Sequence, residues 1–403
     1  MSLAWGLLQY PNLKVRIYEA REKLGHDGSG VGIDRNGQEA LELISPELRD
    51  YLDKAGGVPM VPSLRVTLVE AKGRGKHIAD VSNSVPQRTV IRADLINQML
   101  ASLPSDVVQT GRRLSNITHL EEGQMQLSFE DGSVTAADGL VGCDGINSFV
   151  RKHIFGADVG IADAEYTPGF NTRMMIPDSE AREIFGDEYC NIRTQSGWIG
   201  PGTFCMTDFG DKGDSMQVVT CFRGEQAKDM EDTPFMWVEK DFWLERIKDH
   251  GWIGECVSKV IERQESVFAA GWRGHRPPAR YCDQSSCVAG DAAWAFAPAR
   301  GAGASQGIED ALMLTTVLSC VRSARDVKAA FEVYDGLRRP RRDEVADESD
   351  RALDILCGCL PGVGTDEHRL KREFADWNGF IYRYNLVDAQ SRAREMMEKR
   401  VRA

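Results

Sequence analysis

One stretch of the chain gathers the residue types that can hold a flat, negatively charged ligand. Cys287-Val288-Ala289 reads as a short buried strand, Gly290-Asp291 follows at its end, and Pro298, Gly301, Ala302, Gly303 and Ala304 supply a glycine-rich loop. That loop opens a helix expected over residues 305–319, with Glu309 and Asp310 in its first turn. Small residues let a backbone approach a planar ring closely. Free N–H groups at a helix start favour negative charge, such as the N1–C2=O edge of a reduced flavin. Asp291 is placed to accept a hydrogen bond from a sugar-like hydroxyl. The plainer alternative is punctuation between a strand and a helix.

A second carboxylate, Glu19, ends the run Lys14-Val15-Arg16-Ile17-Tyr18, which has strand length and composition. In a dinucleotide-binding βαβ unit an acidic residue there hydrogen-bonds the adenosine ribose. It should follow a G-x-G-x-x-G loop by about 20 residues. Counting back from Glu19 puts that loop at or before residue 1, with Leu3 to Tyr10 as the back of the helix after it. The expectation is a natural start lying upstream, or else a chain that has lost its pyrophosphate cradle. Glu19 as the end of an ordinary strand is the alternative.

Other elements must position these groups. Gly25, Gly28, Gly30 and Gly32 crowd after the first strand, and a helical pattern follows through Ala40, Leu41 and Ile44. Thr89 to Leu95 carries a strand-to-helix signal, with Asp94 where a first-turn carboxylate complements the helix dipole. Residues 113–142 read as a small β-meander turning at Asp131-Gly132, and run into Val141-Gly142-Cys143-Asp144-Gly145. From about 166 to 270 the chain becomes aromatic and β-prone, and beyond 345 charged and helical.

Bulk properties exclude several functions. The 403 residues suffice for two or three domains. With 49 basic against 61 acidic residues the net charge is -12, which repels nucleic acid and acidic lipid. The basic run Arg338-Arg339-Pro340-Arg341-Arg342 reads as a solvated face. Ten cysteines without C-x2-C spacing and seven histidines without H-E-x-x-H support neither a metal site nor a disulfide scaffold. The apolar opening is too short for a membrane span and lacks a signal peptide's positive start. A soluble, cytoplasmic protein is expected.

The ordered motifs resemble the group A flavoprotein monooxygenases, and within them the fungal salicylate-hydroxylase-like enzymes of secondary metabolism. Gly290-Asp291-Ala292-Ala293, Pro298 and Gly301 to Ala311 look like the second flavin motif of that family. Val141 to Ser148 is similar to its D-G motif, in which Asp144 and Gly145 support the flavin. Ile91-Arg92-Ala93-Asp94-Leu95 matches its R-x-x-L segment, whose arginine meets the phosphate and ribityl region. Tyr18-Glu19-Ala20 and Gly30-Val31-Gly32-Ile33 match the ribose-binding strand end and the loop after it. Tyr334, Arg338 to Arg341 and Trp377 fit its tail.

The resemblance implies FAD as cofactor and NAD(P)H and O2 as co-substrates. Reduced flavin activates oxygen, and an electrophilic oxygen passes to a phenolic or polyketide-derived aromatic. It also aligns Thr172-Arg173-Met174 with the segment whose arginine clamps the phenolate, which makes Arg173 the catalytic candidate. The implied fold is α/β. A dinucleotide-binding, glutathione-reductase-like FAD domain (1–165, without first strand and glycine loop, and 271–345) carries an inserted β-rich substrate domain (166–270). A C-terminal helical segment (346–403) follows. Two positions depart from the pattern: Trp294 stands where the family usually has histidine, and Asp208 where relatives carry a clamping tyrosine. A carboxylate at 208 is expected to repel a phenolate. The alternatives are an epoxidase or dehydrogenase on the same fold, or a flavin-free paralogue.

Overall fold

From Phe170 to Ile176 every second side chain is buried, the period of a strand with one face on a core. That strand, Glu165–Pro177, is third in an eight-stranded sheet of a computed structural model, which describes residues 1–24, 29–120, 124–156, 159–224 and 235–401. The order is Met236–Val238, Val267–Gly274, Glu165–Pro177, Ser215–Phe222, Thr203–Gly210, Ser196–Gly200, Leu64–Leu68 and Lys76–Val81. All neighbours are antiparallel except Ser196–Gly200 and Leu64–Leu68. The sheet therefore joins the aromatic segment to an earlier hairpin, residues 64–81.

Register decides which side chains meet. Arg173 lies opposite Val219 and Val219 opposite Met206; Met175 lies opposite Gln217 and Gln217 opposite Asp208. Directly opposed residues share a face, so these six side chains stand on one side. The other side buries Phe170, Met174, Val218 and Phe222 against Trp243, Val257 and Ile261. Those three come from the helices Lys240–Ile247 and Gly251–Arg263, which the aromatic reading of this stretch did not anticipate.

In the other half, the helix Gly303–Leu318 is buried nearly all round and packs against Ser2–Leu7, Arg35–Ile44 and Val327–Leu356. It starts two residues before the expected 305, so Glu309 and Asp310 lie beyond its first turn, a correction to the sequence reading. The helix Val327–Leu356 runs 30 residues, through Pro340 and past residue 345. Its first turns bury Ala330, Phe331 and Tyr334 in the core around Ser286–Val288, and its last turns bury Ala352, Leu353 and Leu356 in the core below the large sheet.

The parallel sheet comes in two pieces. Ile17–Tyr18 pairs with Val108–Gln109, and Leu140–Gly142 pairs with Ser286–Val288. Both pieces touch one small apolar cluster, Met125, Leu127 and Phe129, through Tyr18 and Leu140. That cluster belongs to the expected meander, Leu114–His119, Met125–Phe129 and Val134–Ala137. Among the described residues no helix is long and apolar enough to cross a membrane, and no group of three ligating side chains could hold a metal.

Candidate cofactor and substrate site

Parallel pairing brings two of the glycine-rich exits to one edge. Leu140–Gly142 and Ser286–Val288 end together, with the Ala289 N–H on the Gly142 carbonyl at 2.9 Å. Asp144-Gly145 and Gly290-Asp291 therefore leave the sheet side by side, at the carboxyl ends where such sheets bind ligands. Gly290 (φ +60), Gly301 (φ +64) and Gly145 (φ +78) hold conformations that L side chains rarely adopt. A Cβ placed on any of them, or on Gly303, meets no atom within 4 Å. The space before this loop is open. The helix that starts at Gly303 has no side-chain cap, since Ala302 occupies that position, so its first N–H groups are left for a ligand. Asp291 is exposed.

The remaining expected residues divide. Ser305 Oγ accepts the Asp34 N–H at 3.2 Å, which ties the strand Gly30–Ile33 to the start of the same helix. A Cβ on Gly32 would meet Gln87 Nε2 at 2.5 Å. Arg92, exposed, opens the helix Arg92–Ala101, and its N–H donates to the Ser29 carbonyl at 3.1 Å. Glu19 ends the other piece of parallel sheet and accepts the Arg21 N–H at 2.8 Å. Asp144 accepts from the N–H groups of Phe149 (2.7 Å) and Val150 (3.1 Å) and from Ser148 Oγ, so its carboxylate holds the start of the helix Phe149–Phe155. Gly25 and Gly28 lie outside the described residues.

Beneath the loop lies a charge system that the sequence reading missed. Arg338, Arg341 and Arg342, expected on a solvated face, are 0%, 4% and 0% exposed. They recur at i, i+3 and i+4, one face of the helix Val327–Leu356, and that face packs on Gly303–Leu318. Glu309 and Asp310 there compensate them. Arg338 donates to Glu309 at 2.6 Å and to Asp310 at 2.8 Å, and Arg342 donates to Asp310 at 3.0 Å. Asp310 also accepts the Gly290 N–H at 2.9 Å, so the buried carboxylate fixes the glycine turn from behind. The signal was available in the arginine spacing, but only with the acidic pair assigned to the facing helix.

His275 is a second omission. Its Nδ1 accepts the Ala295 N–H at 3.0 Å and its Nε2 lies 2.9 Å from the Ile146 carbonyl. An accepting Nδ1 and a donating Nε2 require the neutral ring. Burial, then the nearby Arg151 charge, push its pKa down to about 4. Trp294 is buried and donates Nε1–H to the His275 carbonyl at 2.9 Å. The two residues brace the stretch before the glycine loop against the D-G segment.

The face of the large sheet away from Trp243 carries Arg173, exposed and without a hydrogen bond or ion pair to any described residue. Met175, Met206 and Val219 surround it in the register given above. Met206 and Ala299 belong to one apolar cluster, so this face looks toward the Pro298–Gly301 loop. Asp208 is 2% exposed and accepts from Gln217 Nε2 (3.2 Å) and Gln195 Nε2 (3.3 Å). The carboxylate is thus turned into the protein and engaged by two amides instead of being presented at the surface of the sheet. The structure brings Gly145, Gly290, Asp291 and Gly301 to Ala304 to one edge, adds Gly32 and Arg92 through Asp34 and Ser305, and sets Arg173 on the opposing sheet.

The open glycine edge, the uncapped helix start and the exposed Asp291 fit a flavin dinucleotide. Residues 79–349 match the FAD binding domain family. The 6-methylsalicylate 1-monooxygenase atA of Aspergillus terreus is 32% identical over 427 residues, which cover 99% of this chain and 93% of that one. Among solved structures, a salicylate hydroxylase substrate complex superposes with a TM-score of 0.83 at 23% identity, covering 97% of this chain and 94% of that one. CtdE in complex with FAD and a substrate gives 0.80 at 17% identity, covering 100% and 97%. At those identities the structures speak for the fold.

Proposed function

The chain belongs to the FAD binding domain family of FAD-dependent monooxygenases, and from that premise we propose that it hydroxylates a phenolic or polyketide-derived aromatic in secondary metabolism, with NAD(P)H and O2 as co-substrates. The observation that carries this reading is Arg173, an exposed cation without a hydrogen bond or ion pair to any described residue, flanked by Met175, Met206 and Val219 on its sheet face. A guanidinium so placed binds an ionised ring oxygen or carboxylate through charge-assisted hydrogen bonds. Met175, Met206 and Val219 flank the ring and keep water from it.

Bound FAD supplies the redox and oxygen chemistry. The chain's own residues hold it: Glu19 and Asp291 accept from its sugar and ribityl hydroxyls, and Arg92 meets its phosphates. Gly145, Gly290 and the run Gly301-Ala302-Gly303-Ala304 give its rings room, Gly32 lets its strand pack close to Gln87 beside the site, and Asp144 fixes the D-G segment. The name of the Aspergillus relative points to hydroxybenzoates as the first substrates to test.

The test is a flavin titration of the purified chain, followed by NADH and NADPH oxidation with salicylate and 6-methylsalicylate. The reading expects bound flavin, phenol-stimulated oxidation of the nicotinamide and a product heavier by one oxygen atom. A folded protein that binds no flavin, or that turns all consumed oxygen into peroxide with every phenol tried, overturns it.

A further inference from the structure

Asp208 is buried below the substrate face, yet it is wired to the opposite wall of the site. Gln217 Nε2 donates to Asp208 Oδ1 at 3.2 Å, and Gln217 Oε1 accepts the Gly30 N–H at 3.2 Å. A carboxamide donates at one end and accepts at the other, whereas an ionised carboxylate only accepts. Asp208 therefore dictates which way the amide points, and the carbonyl is left for Gly30. Gly30 lies opposite Ile91 across the strand pair, and the neighbouring Ser29 carbonyl receives the Arg92 N–H. The fit is tight: a Cβ on Gly30 would lie 3.3 Å from Thr89 Cγ2 and 3.5 Å from Gln217 Oε1.

We propose that Asp208 is a positioning residue that acts through the Gln217 amide to hold the Gly30–Ile33 strand, and with it Gly32 and Arg92, against the substrate sheet. The proposal rests on the reading above, in which Gly32 and Arg92 hold flavin. It gives the Asp208 position a task different from clamping substrate. It also makes the attachment sensitive to protons. Asp208 is faced by Arg173 from the next-but-one strand, by Gln195 and Gln217, and by Thr89. Burial pushes its pKa up to about 6, with the Gln195 bond and then the Arg173 charge working against that rise. Once protonated, the carboxyl offers one donor and one acceptor oxygen in place of two acceptors, so one of its two amide partners, Gln195 or Gln217, must present its carbonyl instead. Where Gln217 turns, its NH2 faces the Gly30 N–H and that hydrogen bond is lost.

Asp208→Asn, Asp208→Leu and Gln217→Leu separate the possibilities, with hydrogen exchange at the Gly30 amide and the FAD dissociation constant measured from pH 5 to 8. In the unaltered protein, Gly30 protection and flavin affinity should both fall about tenfold toward pH 5, the worth of one hydrogen bond. D208N presents one donor and one acceptor, as the protonated carboxyl does, and does not titrate, so both should be flat across the range at the level the unaltered protein reaches near pH 5. Q217L should leave both low at every pH while the protein still unfolds cooperatively; D208L should do the same if it folds. A D208N profile that follows the unaltered protein, or Gly30 exchange unmoved by Q217L, overturns the proposal. Should no form bind flavin while Gly30 exchange behaves as described, the link stands and the functional reading fails.

Discussion

The Arg338 guanidinium donates to Asp310 at 2.8 Å, with neither side chain more than 1% exposed. Removing Arg338 leaves Asp310 with Arg342 but the buried Glu309 with only Arg341 at 3.7 Å, and a buried charge that loses its close partner costs about 3–5 kcal/mol. Arg338→Met should therefore lower the unfolding free energy by about that amount in a denaturant titration. Arg338→Lys lacks the planar fork that reaches Glu309 and Asp310 together, and should recover only part of the loss. A Met variant as stable as the parent would mean that the cluster does not hold the glycine turn.

Gly303 separates stability from binding. It has no positive φ, opens a helix and faces empty space. Gly303→Ala should leave thermal stability unchanged or raise it slightly, since alanine is the better helix former by up to about 1 kcal/mol. Its methyl group would project into the flavin's space, so affinity for FAD should fall at least about tenfold. Gly301→Ala should lose both properties, because its left-handed backbone penalises any side chain. Parallel flavin titrations and melting curves check the pair.

Arg173→Ala should raise KM for a phenolic acid roughly 10- to 100-fold, the worth of a hydrogen bond to a charged group. At pH 8, where Asp208 stays ionised, FAD affinity should not move, because the side chain stands on the sheet and not on the glycine edge. Equal loss of flavin and substrate binding in steady-state and titration data would place Arg173 elsewhere in the mechanism.

His275 sets an acid limit. Its folded pKa is depressed to about 4 from an ordinary 6.5. The unfolded chain therefore binds the proton first, and the stability from this residue is present above pH 6.5 and lost as pH falls toward 4. His275→Gln can accept from Ala295 and donate to Ile146 without titrating. It should match the parent at pH 7 and show a shallower loss at pH 5 in denaturant titrations. An unchanged slope would assign the acid sensitivity to other groups.

Local signals made much of the fold legible. The meander at 113–142, the strand-to-helix step at Arg92 and the buried strand before Gly290 all stand in residue type and spacing. What escaped reading depends on partners far away in the chain. Arg338 and Arg342 look like solvated cations until Glu309 and Asp310 face them from another helix. Gln217 carries no motif, and its importance lies in the 187 residues that separate it from Gly30. Asp208 was visible as a departure, but burial and two amide donors, not its charge alone, decide what it does. The two-piece parallel sheet reflects register, which residue spacing near Glu19 only outlined.

The helix Val327–Leu356 limits how the site can open. At 1.5 Å per residue its 30 residues form a rod about 45 Å long, rooted at one end in the cofactor half and at the other beneath the substrate sheet. The weak point for bending is Pro340, which leaves the Gly336 carbonyl without its helical donor, and both lie on the solvent side. Directly across the rod, Arg338, Arg341 and Arg342 are bolted into Gly303–Leu318. Bending of this helix at Pro340 is thus opposed by the buried ion pairs on its other side. Opening the site by bending this rod would break those buried pairs, which shifts of short segments leave intact.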